Sequence, residues 1–198
     1  MKKNVMISKH DLDWTHIFSK EAEIIENKLK SSVFFIDHVG STSVENLPGK
    51  PIVDILISVQ DWSFSAEIAN SLKELNYHIG EVCEDTPRFF LTKYLTDNSI
   101  GFHVHICEPD RKWAQDMLAF KDELSANKKM AENYVNLKYT LATIHHNDID
   151  AYSRGKKDFI ENTLLCSATK FSVNRLLTHQ TAELDKADKL RIWMMSVQ

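Results

Sequence analysis

The chain is short of cysteine, of net charge and of long apolar runs, and each shortage removes a class of protein. Its three cysteines, Cys83, Cys107 and Cys166, show no C-x-x-C spacing. That excludes a disulfide framework and a thiolate zinc cluster and leaves reduced, buried thiols as the expectation. No apolar stretch is long enough to span a bilayer, and the first nine residues lack the apolar segment of a secretory leader. The chain is therefore read as cytoplasmic, with no membrane partner. A formal net charge of -4 gives no bulk attraction to a polyanion, so general nucleic-acid binding is not expected. There is also no P-loop, no dinucleotide fingerprint, no Ser-His-Asp order and no internal repeat.

What remains is an ordinary globular composition over 198 residues, 43% hydrophobic and 26% charged. That length holds one substantial core, or one α/β core with a helical appendage. Trp14, Ile17, Phe18, Ala22, Ile25 and Leu29 recur at helical spacing and predict a helix over Asp13 to Leu29. Val33 to Val39 then reads as a strand ending at Gly40-Ser41-Thr42-Ser43, and Ile52 to Val59 as a buried strand interrupted by Asp54. A helix over Ser65 to Leu75 follows, with strands near Tyr77-Ile79, Arg88-Tyr94 and Ile100-Cys107. The last two form a hairpin around Asp97-Asn98-Ser99.

From Pro109 the periodicity is helical only, over Trp113 to Leu124, Lys129 to His145 and Ile149 to Phe171. Asn174 to Val197 reads as a further amphipathic helix, suited to packing on the body or to making a homo-oligomer. The organisation expected is an α/β core over residues 1–108 and a helical region over residues 109–198 packed on it.

Four groups of residues stand out chemically. Gly40-Ser41-Thr42-Ser43 after a strand suits phosphate, because glycine lets an anion approach the backbone while hydroxyls and amides donate; the alternative is a polar turn capping a short helix. Asp54 sits in an apolar strand, and a buried carboxylate costs several kcal/mol, on the order of a lost core side chain, unless it is paired or bound to a cation. His103 and His105 are two apart on a strand and share a face, so they converge on a metal, a phosphate or an acid/base task, or else form a solvated face. His38 precedes Gly40 by two and shares its face. Among the basic residues Lys50, Arg88, Lys93, Lys138, Arg154, Lys156 and Lys157, the reading singles out Lys50 and Arg88 as phosphate-neutralising. Trp14, Trp113 and Trp193 are assigned to the core.

Taken together, His38-Val39-Gly40-Ser41-Thr42-Ser43, Leu47-Pro48-Gly49-Lys50-Pro51-Ile52-Val53-Asp54-Ile55 and His103-Val104-His105 resemble the GrpB family of the nucleotidyltransferase superfamily. The resemblance continues through Phe120-Lys121-Asp122 with Leu124, Tyr134 with Leu137-Lys138, and Tyr152 with Lys156 and Phe159-Ile160, and covers Trp14 to Leu165. It implies a mixed sheet flanked by helices with a helical C-terminal half. It also implies a pocket where Gly40, Ser41, Thr42, Ser43, His38, Lys50 and Arg88 hold phosphate. Asp54, His103 and His105 would supply catalytic and metal-binding groups there. In active members of the superfamily two or three carboxylates bind divalent cations for in-line transfer. Here the second carboxylate position is Leu56, and the later strand offers imidazoles. Glu45 and Asn46 stand where the family pattern has Pro and Gly.

The expectation drawn from this is a nucleotidyltransferase acting on a small molecule or protein side chain, with a nucleoside triphosphate as substrate. Its cofactor would be a divalent cation, Mg²⁺ or Mn²⁺ and after them Zn²⁺. The alternatives are an inert nucleotide- or phosphometabolite-binding protein and an oligomeric interaction protein.

Overall fold

Strands with apolar side chains on both faces must be covered on both faces, and this governs the architecture. A computed structural model of the protein describes residues 7, 13–29, 34–80, 87–95 and 100–166. The elements are α1 (Trp14–Leu29), β1 (Phe34–Val39), β2 (Ile52–Val59), α2 (Ser65–Lys73), β3 (His78–Ile79), β4 (Phe89–Tyr94), β5 (Gly101–Cys107), α3 (Lys112–Ala126), α4 (Lys128–Ile144) and α5 (Ile149–Arg154). The chain is helical again over residues 157–166. The strands form one mixed sheet in the order β1-β2-β5-β4-β3, in which only the central β2-β5 pair is parallel.

The sheet has two unlike faces. Val53, Ile55, Ile57 and Val59 of β2 and Phe102, Val104 and Ile106 of β5 point to one side and form the main core with Trp14 and Ile25 of α1 and Ile68, Ala69 and Leu72 of α2. Each such buried side chain contributes about 1.5–3 kcal/mol. The other face carries the alternate residues. Val39, Leu56 and Cys107 pack there under Ala114, Trp113, Met117 and Leu118 of α3. Beyond that small cluster the same face presents Asp54 and His103, which are register partners, and His105. The candidate site residues Asp54, His103 and His105 thus sit on the face that α3, α4 and α5 only partly cover.

A buried polar network fixes α1 on the sheet. Glu21 accepts from Tyr77 Oη at 2.9 Å and from Lys93 Nζ at 2.6 Å. Lys93 also lies 5.0 Å from the Tyr77 ring centroid and serves this opposite face.

The expected fold class holds, with two differences. The helix expected from Ile149 to Phe171 breaks at Gly155-Lys156, where α5 has ended and a Cβ on Gly155 would stand 2.5 Å from Leu141 Cδ2 of α4. Close packing of the turn on α4 dictates the break, and the break delivers Lys156 to the sheet. Cys107 is buried as expected, whereas Cys166 is exposed at the end of the last helix. Cys83, the turn at Asp97-Asn98-Ser99 and the helix expected from Asn174 to Val197, with its oligomer role, lie outside the described residues. No described helix is long and apolar enough to cross a membrane.

Candidate anion-binding cavity

The site begins where β1 stops. Val39 pairs with Asp54 across the sheet, so the residue after Val39 must pass the Asp54 carboxylate. That residue is Gly40, at φ 72°. A Cβ on it would lie 2.3 Å from Asp54 Oδ2, so only glycine fits both the backbone conformation and the approach.

The next three residues form a single 3-10 turn, Ser41–Ser43, and their hydroxyls go three different ways. Ser43 Oγ donates to Gly40 O at 2.7 Å. Thr42 is buried and donates to Ile52 O at 3.2 Å. Its oxygen also lies 3.0 Å from His38 Nε2, which must therefore carry the proton and donate. His38 pairs with Ile55, faces α1 and stacks on Phe18 at 4.6 Å, away from Asp54. Burial pushes its pKa down to about 4 against the opposing pull of Asp54, so it is a neutral buttress for the turn. Of the loop, Ser41 alone turns its side chain toward the open face, where Lys138 Nζ donates to its Oγ at 3.3 Å.

A cavity of about 660 Å³ opens on that face, within the range for a nucleotide-sized ligand. Its floor is Asp54, His103 and His105. Arg88 and Phe90 come from β4 and the residue before it, Trp113 from α3, Lys138 from α4, Tyr152 from α5, and Lys50 and Lys156 from connecting turns. An adjoining hollow of about 560 Å³ shares Ser41, Asp54, Trp113, Ser153 and Lys156 and adds Gly40 and Tyr134. A larger hollow of about 940 Å³ lies elsewhere, between Ser43-Pro48 and α4, but its lining brings no group of cations together.

The cations are the distinctive feature. Lys138 is 2% exposed, and its ammonium donates to the Pro48 carbonyl as well as to Ser41. Lys50 and Lys156 flank the Tyr152 ring at 5.6 and 4.9 Å from its centroid. Arg88 lies over Trp113 at 4.3 Å. None of the four makes an ion pair with a carboxylate among the described residues. Among the described residues that line the cavity, the one acid is Asp54.

Burial pushes Lys138 down to about 7, and the charge of Lys156 adds to the shift. Burial likewise lowers Lys156 to about 8, with Lys50 adding and Asp54 opposing. Lys50 is lowered for the same reason, again against Asp54. Burial alone would raise Asp54, but the hydrogen bond and charge of His103, with His105 and Lys156, outweigh it and hold the carboxyl below its usual range.

The imidazoles differ from one another. His103 Nδ1 lies 3.5 Å from Asp54 Oδ1, and its Nε2 lies 3.3 Å from Tyr94 Oη. His105 is wedged between Phe90 and Trp113, at 5.0 and 4.7 Å. Burial lowers it to about 4 despite Asp54, and its Nδ1 is buried without a hydrogen-bond partner.

Of the residues expected at a phosphate site, the fold brings Gly40, Ser41, Lys50 and Arg88 around Asp54, His103 and His105. It turns His38, Thr42 and Ser43 to other tasks. Sequence reasoning passed over Lys138 and Lys156 as background and placed Trp113 in the core, although it is half-buried and forms a cavity wall. A signal existed for Lys138: it falls on the buried stripe of α4 between Tyr134 and Leu141, where a lysine needs a reason.

The pair of divalent cations that the sequence resemblance implies would need further carboxylates beside Asp54, and the described residues lining the cavity supply none. Leu56, fully buried against α3, fills the second position, and among the described residues no three His, Cys, Asp or Glu side chains are grouped to hold a metal. The donor set does not fit that metal pair.

The family profile described as GrpB protein matches residues 4–165. A glutamate-rich protein GrpB of Alkalihalophilus pseudofirmus is 31% identical over 166 residues, 82% of this chain and 95% of that protein. The UPF0157 protein YqkA of Bacillus subtilis is 30% identical over 81% of this chain, which spans 46% of that longer protein. The crystal structure of the conserved protein GrpB from Enterococcus faecalis superposes with a TM-score of 0.74 at 28% identity, over 84% of this chain and 99% of that one. The chain belongs to the GrpB family.

Proposed function

We propose that this GrpB protein binds the phosphate groups of a nucleotide or phosphorylated metabolite in the cavity over Asp54. The observation that carries the reading is the convergence of Lys50, Lys138, Lys156 and Arg88 on one cavity with a single carboxylate among them. Buried cations without counter-charge are unfavourable, and an anionic ligand relieves them. Trp113, half-buried in the cavity wall, supplies aromatic surface for a base or other planar group. A thermal-shift panel of nucleotides and sugar phosphates tests this, because a ligand selective for the native state raises its melting point. A rise of several degrees with at least one phosphorylated compound is expected. No shift with any of them at millimolar concentration overturns the reading.

A second reading, nucleotidyl transfer onto a hydroxyl, is favoured by the chain Asp54-His103-Tyr94. With its Nδ1–H directed at Asp54, His103 turns Nε2 to Tyr94 Oη, and a hydroxyl acceptor that takes the place of Tyr94 Oη would give its proton to that nitrogen. His103→Gln then abolishes transfer while leaving nucleotide binding in place. Wild-type protein that binds nucleotides yet releases no pyrophosphate with any acceptor sinks this reading alone.

A further inference from the structure

The cations raise a question that phosphate binding alone does not answer, namely what takes the place of the metal ions. Resting on the phosphate-binding reading above, we infer that the cavity recognises a diphosphate or triphosphate group directly, without a divalent cation, through Lys50, Lys138, Lys156 and Arg88. Three structural facts lead here. Leu56 is fully buried where a second carboxylate would stand, so a metal entering beside Asp54 finds one carboxylate and a hydrocarbon wall. The remaining groups near Asp54 are His103, already directed at its Oδ1, and His105, clamped between two aromatic rings. Finally, the lysines come from three separate places, the turn before β2, the middle of α4 and the turn after α5. Segments far apart in the chain thus bring positive charge to this one face.

The charge count selects the ligand. Four cations against one carboxylate leave an excess near three when the lysines are protonated, from the residues lining the cavity. A metal-free diphosphate or triphosphate matches that excess. A magnesium-complexed triphosphate carries two charges fewer and competes poorly for the same lysines. Orthophosphate offers the four lining cations one phosphoryl group where pyrophosphate offers two. Lys138 is further suited to the task because it is already immobilised by Ser41 and the Pro48 carbonyl, so little side-chain entropy is lost on binding.

Calorimetry on the full chain decides it, using inorganic pyrophosphate, ATP and orthophosphate, each with EDTA and with excess Mg²⁺. Pyrophosphate and ATP are expected to bind in EDTA at least about threefold tighter than in Mg²⁺, and at least about tenfold tighter than orthophosphate, a charge-assisted contact or more in each case. Lys156→Met and Arg88→Gln each weaken ATP about tenfold on the same scale. Lys129→Met, which removes an exposed lysine of α4 outside the cavity lining, leaves affinity unchanged. Melting curves of each variant identify any that fail to fold, and the two chosen residues come from different elements so that one such failure leaves the other informative. Binding that requires Mg²⁺, or orthophosphate binding as tightly as pyrophosphate, overturns this inference and leaves the phosphate-site reading standing. Absence of binding in every arm overturns both.

Discussion

Gly40 and Asp54 define each other. The carboxylate reaches into the space a side chain on residue 40 would fill, and the backbone there adopts a left-handed conformation. Gly40→Ala therefore displaces Asp54 as well as straining the loop, and is expected to cost about 1–3 kcal/mol with a matching fall in melting temperature. A melting curve indistinguishable from wild type contradicts this contact. Lys138→Met is expected to act the other way. It removes a buried ammonium that has no carboxylate partner among the described residues, so folding stability is unchanged or rises by about 1 kcal/mol while ligand affinity falls. Denaturant unfolding measures the first and calorimetry the second. A destabilised variant shows that the Pro48 and Ser41 contacts outweigh the charge burial.

At the scale of elements, much was legible in the sequence. The apolar run of β2 announced a strand covered on both faces, and its lone Asp announced the functional face. The hairpin of β4 and β5 followed from alternation. The His38-to-Ser43 loop misled because residue types that suit a phosphate also suit a turn held by its own hydrogen bonds. Here Thr42 and Ser43 are used that way. Lys138 and Lys156 escaped because their convergence depends on α4 and the turn at Gly155 folding back over the sheet, which no local spacing encodes. The Glu21 network was invisible for the same reason, since Tyr77 and Lys93 are 56 and 72 residues away along the chain. Breaking it is costly: Glu21→Ala leaves Lys93 without its carboxylate in a largely buried setting and is expected to lower stability by about 3 kcal/mol. Tyr77→Phe removes one hydrogen bond and costs about 1 kcal/mol. Equal effects of the two substitutions in chemical denaturation contradict the assignment of the ion pair as the larger contribution.

For the whole molecule, the lysine cluster couples proton binding to both folding and ligand binding. Lys138 and Lys156, lowered to about 7 and 8 in the fold, bind fewer protons there than in the unfolded chain. Their burial penalty is present in full below about pH 7, and it is relieved as pH rises from there toward the unfolded lysine value. The ligand-free protein should thus gain stability from these groups between pH 7 and 9, and the gain should shrink in Lys138→Met. An anion reverses the balance by drawing protons back onto both lysines, opposed at Lys138 by Lys156 and at Lys156 by Lys50, with Asp54 assisting at Lys156, while His105 stays neutral above its lowered value near 4. Binding at pH 8 should therefore take up protons, seen as a dependence of calorimetric enthalpy on the ionisation enthalpy of the buffer. A buffer-independent enthalpy contradicts the coupling.

The most direct test of the central claim is a crystal structure of the protein with ATP or pyrophosphate bound. The account places the phosphorus atoms over Asp54, within hydrogen-bonding reach of Lys138, Lys156 and Arg88. A ligand seated instead in the larger hollow beside Ser43 and Pro48, or phosphates contacting none of those three side chains, contradicts it.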